Sequence, residues 1–346
     1  MPPPVTLFGA GSWGTALAVH LARAGREVVL WGRRAERVEQ IRRSGENSSY
    51  LPGVRIPSSV QVTANLDEAA EASNLWAVAV PSQHLRAVAG TLRPHTRPEG
   101  IVVSLAKGIE NDTLLTMSRV LREELEHVPE AQIGVLSGPS HAEEVAEERP
   151  TTVVAAAPQD QVAERIQNAF MTEALRVYVN TDVIGVEIGG AAKNVLAIAA
   201  GIGDGVGYGD NAKAALITRG LAEIRRLGLA MGAKPQTFAG LTGIGDLVVT
   251  CMSAHSRNRS LGEQIGQGRT LEEVLSEMEM VAEGVRTTQS IHDLAERHGL
   301  ELPITEAVYA VLFQGQAPRA MVEQLMTRPA KRENWVPDRL ADALNG

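Results

Sequence analysis

The sequence predicts an α/β chain, with a doubly wound sheet in its first half and an all-helical second half. Three observations carry this. From residue 5 to about 180, short apolar runs bounded by turn residues alternate with amphipathic stretches. After about Thr181 the alternation stops and long helical patterns take over. The chain has 346 residues, more than one hydrophobic core usually serves, so two domains are expected, 1–182 and 183–346.

Composition narrows the class. Hydrophobic residues make up 44% and charged residues 21%, which is globular and not disordered composition. The net charge is -8 with no lysine or arginine block, which argues against nucleic acid or an anionic membrane as partner. A single cysteine, Cys251, excludes an intramolecular disulfide and fits a reducing compartment. The start, Met1-Pro-Pro-Pro4, has no basic region or apolar stretch, so no signal peptide is expected. The most apolar long run, Val183 to Ile202, carries Glu187, Lys193 and Asn194 at its centre. Charges there suit a buried helix and not a membrane insertion.

The first strand is Val5-Thr-Leu-Phe8, followed by Gly9-Ala-Gly-Ser-Trp-Gly14 and an apolar-periodic segment to Arg23. Strand, G-x-G-x-x-G and helix in this order predict a Rossmann-type dinucleotide site. Gly9 suits the tight turn, Gly11 lets the backbone approach a pyrophosphate, and Gly14 packs helix on strand. Ser12 and Trp13 sit where they could touch the cofactor. The second strand, Glu27–Trp31, ends at Gly32-Arg33-Arg34, where an NAD site usually places an acidic residue. Two guanidinium groups favour a 2′-phosphate, so NADP is expected, with NAD tolerated; arginines merely opening a solvated helix are the plainer alternative.

Further strands are expected at Leu75–Val80, Ile101–Ala106, Ile133–Leu136, Thr151–Ala155 and Leu175–Val179. Ligands of such sheets lie beyond the carboxyl ends of the strands, and Lys107 and Ser140 fall at two of those ends. Ser140 and Glu143 have capping-box spacing, which predicts a helix start after the Gly138-Pro-Ser140 turn. In the second half, Gly201 to Gly209 follows no strand and reads as a helix break. Asn211–Met231 is a second long helix, and shorter ones follow at Leu271–Glu279, Thr287–Glu296 and Thr305–Leu312. His20, His84, His141 and His255 lack metal-ligand spacing, and no metal site is expected.

Lys193 lies in the middle of a small-residue apolar helix pattern. Such a lysine is either paired with a carboxylate or driven toward neutrality. A purely structural ion pair with Glu187 or Asp246 competes with a catalytic role, Asp246 could simply cap the next helix, and Arg257 and Arg259 could be a solvated face.

Gly9-Ala-Gly-Ser-Trp-Gly-Thr-Ala16, Tyr50-Leu-Pro52, Ser104-Leu-Ala-Lys-Gly108, Ser137-Gly-Pro-Ser140, Ala192-Lys-Asn194, Gly243-Ile-Gly-Asp-Leu247, Ser256-Arg-Asn-Arg-Ser260 and Val281-Ala-Glu-Gly284 stand in this order. Together they resemble the bacterial NAD(P)-dependent sn-glycerol-3-phosphate dehydrogenases over roughly residues 5 to 310. The resemblance implies a 6-phosphogluconate dehydrogenase-like C-terminal helical domain. It implies reversible reduction of dihydroxyacetone phosphate to sn-glycerol 3-phosphate, a cytoplasmic step feeding phospholipid synthesis.

By the same resemblance, Lys193 is the general acid or base and Asp246 supports it. Lys107, Gly138 and Ser140 hold substrate, with Ser256, Arg257 and Asn258 at its phosphate. Ser12, Trp13, Arg33, Arg34, Tyr50, Lys107, Ala142, Arg257, Val281 and Glu283 line the cofactor. Members often form homodimers, so a homodimer is admitted. The chemistry is consistent: reducing a ketone puts charge on its oxygen, where a proton donor and cations must already be aimed. Rival readings are a related hydroxy-acid dehydrogenase and a non-catalytic NADP-binding sensor.

Overall fold

The computed structural model describes residues 3–278 and 282–330. The sheet half runs β1 (Val5–Phe8), α1 (Ser12–Arg23), β2 (Val28–Trp31), α2 (Ala35–Ser44), β3 (Val60–Thr63), α3 (Leu66–Glu71), β4 (Leu75–Val78) and α4 (Leu85–Leu92). It continues with β5 (Ile101–Ser104), α5 (Met117–Glu124), β6 (Ile133–Ser137), α6 (Ala142–Ala146), β7 (Thr151–Ala156), α7 (Asp160–Phe170) and β8 (Leu175–Asn180). The eight strands form one sheet in the order β3-β2-β1-β4-β5-β6-β7-β8. The order reverses between β1 and β4, so the glycine-rich turn after β1 lies at the switch point where such sheets take ligands.

Strands β1, β2, β4 and β5 are buried throughout. Helices on both faces require this, which is why they read as unbroken apolar runs. Two features depart from expectation. Val60-Gln-Val-Thr63 forms the edge strand β3, paired with β2, which the sequence reading does not include. It is short and carries an exposed Gln61, so its apolar signal is weak. Strand β7 pairs antiparallel with β6, because the connection holds only the five-residue α6 and turns the chain back on itself.

The helical half runs α8 (Val183–Val206), α9 (Asp210–Ala230), α10 (Asp246–Met252), α11 (Arg257–Gly266), α12 (Leu271–Glu277), α13 (Glu283–His298), α14 (Pro303–Phe313) and α15 (Pro318–Met326). By length and composition α8 could cross a membrane, but 83% of its most apolar window is buried in the protein. The expected break at Gly201–Gly209 needs correction. The helix continues through Gly201, Gly203 and Gly205 and ends only at Val206. Added side chains at Gly201 and Gly205 would collide with the backbone of α11, at the Arg259 and Glu263 carbonyls. Gly262 and Gly266 of α11 reciprocate against the Ile198 and Ile202 carbonyls of α8. These glycines are a backbone-to-backbone crossing, for which the loss of helix propensity is offset by packing.

The chain divides into two compact units, Met1–Lys107 with Met117–Val183, and Gly108–Thr116 with Ile184–Gly346. A single boundary at residue 182 leaves out one excursion: residues 108–116 group with the helices. Ile109 and Leu114 lie in the helical core, and Ser290 Oγ of α13 donates to the Ile109 carbonyl at 3.1 Å.

Candidate active site

Within the sheet unit, the turn after β1 has the shape that a dinucleotide pyrophosphate needs. Gly9 has φ of 127°, and a side chain there would strike the Ala79 carbonyl after β4. Gly14 is packed against the Gly9 carbonyl, whereas a Cβ on Gly11 would meet nothing within 4 Å. So Gly9 and Gly14 are demanded by packing, and Gly11 leaves open room at the start of α1, where the helix dipole favours an anion. Ser12 opens α1, and the buried Trp13 Nε1 has no hydrogen-bond partner among the described residues. These features fit a dinucleotide.

Arg33 and Arg34 follow β2; both are exposed, and Arg34 caps α2 by its backbone alone. Arg37 of α2 lies over the Tyr50 ring, 4.3 Å from its centroid. The Tyr50 turn is fastened to the glycine loop by Asn47, whose Nδ2 donates to the Ala10 carbonyl at 3.0 Å and to Thr15 Oγ1 at 2.8 Å. Sequence reasoning missed Asn47, a buried polar residue that only the folded loop explains. Ala142 is buried at the first position of α6, against Ala16 and Leu51.

At the ends of the adjacent strands β5 and β6, Lys107 Nζ donates to the Gly138 carbonyl at 2.7 Å and to Ser140 Oγ at 3.3 Å. Gly138 must be glycine: its φ is 133° and Val153 is pressed against it. The capping box expected of Ser140 and Glu143 does not form. His141 precedes α6 and gives no side-chain cap, while Ser140 Oγ donates to the Gly138 carbonyl at 2.8 Å. The Ser140 hydroxyl is drawn to the carbonyl two residues back, in the geometry short polar side chains favour in turns.

The helical unit holds the second cluster. Gly189 lets the wide turn Leu241–Gly245 approach α8, because a side chain there would hit the Thr242 carbonyl. Lys193 lies one turn further along the same face of α8, so Asp246, which follows that turn, meets it. Lys193 Nζ is 2.5 Å from Asp246 Oδ1 and 2.9 Å from Thr250 Oγ1. Thr250 Oγ1 in turn donates to the Asp246 carbonyl at 2.6 Å. Lys193 and Asp246 are 6% and 1% exposed, so the paired charges are largely withdrawn from solvent. Of the two carboxylates the sequence offers, Asp246 is thus a partner of Lys193. Thr250 was missed; its signal was the i, i+4 spacing from Asp246 on one helix.

The Ser256-Arg-Asn258 group divides by role. Ser256 caps α11, accepting from Arg259 N at 3.2 Å. Asn258 Nδ2 donates to Asn194 Oδ1 at 3.0 Å, beside Lys193, and Asn258 Oδ1 accepts from Gly284 N at 3.0 Å. Arg257 is exposed at the first position of α11. Glu283 is half-buried at the start of α13, and Val281 lies outside the described residues.

Comparison with known proteins gives these clusters a context. Residues 4–163 match the family model for the NAD-dependent glycerol-3-phosphate dehydrogenase N-terminus, and 182–323 match that for its C-terminus. The chain is 71% identical to glycerol-3-phosphate dehydrogenase [NAD(P)+] 2 of Salinibacter ruber, over 98% of this chain and 99% of that one. It is 54% identical to the glycerol-3-phosphate dehydrogenase [NAD(P)+] of Chlorobium phaeobacteroides, over 95% and 98%. Among solved structures, glycerol-3-phosphate dehydrogenase from Coxiella burnetii superposes with a TM-score of 0.90 at 38% identity, covering 94% of this chain and 99% of that one.

Proposed function

Because the chain belongs to the NAD-dependent glycerol-3-phosphate dehydrogenase family, we propose that it interconverts dihydroxyacetone phosphate and sn-glycerol 3-phosphate with NAD(P)H. The observation that carries the mechanism is the buried Lys193–Asp246–Thr250 cluster. When bound, the nicotinamide supplies the hydride. The carbonyl π pair moves onto the substrate's C2 oxygen, and that oxygen takes a proton from the Lys193 ammonium. Asp246 neutralises the buried charge before the reaction, and Thr250 fixes where the Nζ–H bonds point. In the reverse direction neutral Lys193 removes the hydroxyl proton.

Each unit offers substrate-binding groups of its own. Lys107, held by Gly138 and Ser140, offers a cation for the oxygen-rich end of the substrate. Arg257, at the N-terminal end of α11, suits the phosphate, where a fork of donors and the helix dipole act together. Arg33 and Arg34 favour NADPH over NADH. The expected setting is the cytoplasm, with phospholipid synthesis as the consumer of the product.

The test is oxidation of NADPH, followed by absorbance, with dihydroxyacetone phosphate and separately with dihydroxyacetone. Rapid oxidation with the phosphorylated ketone alone supports the assignment. No oxidation of NADPH, or of NADH in its place, removes it, leaving a dinucleotide-binding fold with another substrate.

A further inference from the structure

The two arginines of the Ser256-Arg-Asn-Arg259 segment have different environments. Arg257 is exposed, while the Arg259 side chain is only 16% exposed. Two residues apart on a helix, they point to nearly opposite sides. Arg259 Nη1 bonds Asp204 Oδ2 at 2.9 Å and Glu263 Oε2 at 3.1 Å, and its Nε donates to the Ser253 carbonyl at 3.1 Å. Asp204 is shared: its Oδ1 pairs with Lys213 Nζ at 2.6 Å. One carboxylate near the end of α8 therefore gathers the start of α9, the α10–α11 turn and the first turn of α11.

Asp204 is eleven residues from Lys193 on the same unbroken helix. At 100° and 1.5 Å per residue it returns to nearly the same face, about 16 Å along the axis. Helix α8 thus carries the proton donor at one point and, three turns later, the anchor for the helix that bears Arg257. Asn258 to Asn194 supplies the nearer tie between the same two helices.

We propose that Asp204 and Arg259 are positioning residues for substrate phosphate recognition, fixing Arg257 relative to Lys193 without touching substrate. This rests on the reading of Arg257 as the phosphate contact. The network has two carboxylates and two cations in alternation and is partly shielded from water, so geometry matters more than for surface pairs. Removing Asp204 leaves Arg259 with Glu263 and the Ser253 carbonyl and releases its own tie to α8. Angstrom-scale misplacement of a binding group can cost up to about 100-fold in rate.

The test compares wild type with Asp204→Asn, Arg259→Lys and Arg259→Gln, each assayed on dihydroxyacetone phosphate and on dihydroxyacetone at high concentration. Asp204→Asn and Arg259→Gln are expected to lower kcat/KM for the phosphorylated ketone by about tenfold or more, chiefly through KM. Turnover of dihydroxyacetone and KM for NADPH should stay within about twofold. Arg259→Lys keeps a charge for Asp204 and should recover part of the loss, which also serves if the glutamine variant does not fold. Parallel loss on both ketones, or no change on either, overturns the proposal. A wild type that does not favour the phosphorylated ketone instead overturns the substrate reading, and this is seen before any variant is made.

Discussion

The Lys193 ammonium and the Asp246 carboxylate meet at 2.5 Å with almost no exposure to solvent on either side. Their pairing depends on Gly189, one turn earlier, admitting the turn that delivers Asp246. Breaking a buried pair costs far more than breaking a surface one, because the survivor is left uncompensated.

Lys193→Ala should therefore reduce kcat by about 100-fold or more while the protein still binds NADPH. Asp246→Asn should lower kcat and the melting temperature together. Steady-state kinetics, NADPH titration by fluorescence and thermal melts separate loss of chemistry from loss of binding or stability. A Lys193→Ala enzyme with full turnover would point to another proton donor.

Thr250→Val tests a finer point. The valine keeps the volume but loses the hydroxyl between Lys193 and the Asp246 carbonyl. A hydrogen bond to a charged group contributes about 1.5–3 kcal/mol, so kcat should fall by about tenfold or more with little change in KM. Equal loss in KM would assign Thr250 to binding instead.

Arg33 and Arg34 are exposed and form no ion pair among the described residues. Replacing both with alanine should raise KM for NADPH by about tenfold or more and leave KM for NADH within about twofold, because only NADPH carries the 2′-phosphate. Equal effects on both cofactors would make the arginines general surface charges.

Glu223 of α9 is buried and accepts from Ile304 N at 2.8 Å, Thr305 N at 3.2 Å and Thr305 Oγ1 at 3.3 Å. Burial outweighs those bonds and pushes its carboxyl up to about 7. The folded protein holds this proton more tightly than the unfolded chain. The resulting stability is complete below about pH 4.5 and is lost as pH rises toward about 7. Melting temperature should therefore slope downward through this window from this group, and Glu223→Gln should flatten the slope. An unchanged slope would assign it to other groups.

The placement of several candidate-site residues was legible in the chain. The glycine loop after β1, the strand-end positions of Lys107 and Ser140, and Lys193 within an apolar helix follow from local pattern and spacing. What was not legible depends on contacts between distant segments. The glycines at 201 and 205 read as a break because propensity penalises them, yet the α11 backbone makes them part of the helix surface. Ser140 had the right spacing for a cap, but its hydroxyl found the Gly138 carbonyl instead. Thr250, Asn47 and Asp204 carry no motif, and their importance appears only when their partners are in place.

Residues 108–116 leave the sheet unit between β5 and α5 and belong with the helices. Their order of synthesis has a consequence. Every strand of the sheet has been made by Asn180, but the Ser290 that holds the Ile109 carbonyl comes more than a hundred residues later. At translation speeds of about 5–20 residues per second, Ile109 and Leu114 wait on the order of ten seconds for their core. A nascent chain at that stage presents an apolar hook that the finished protein conceals.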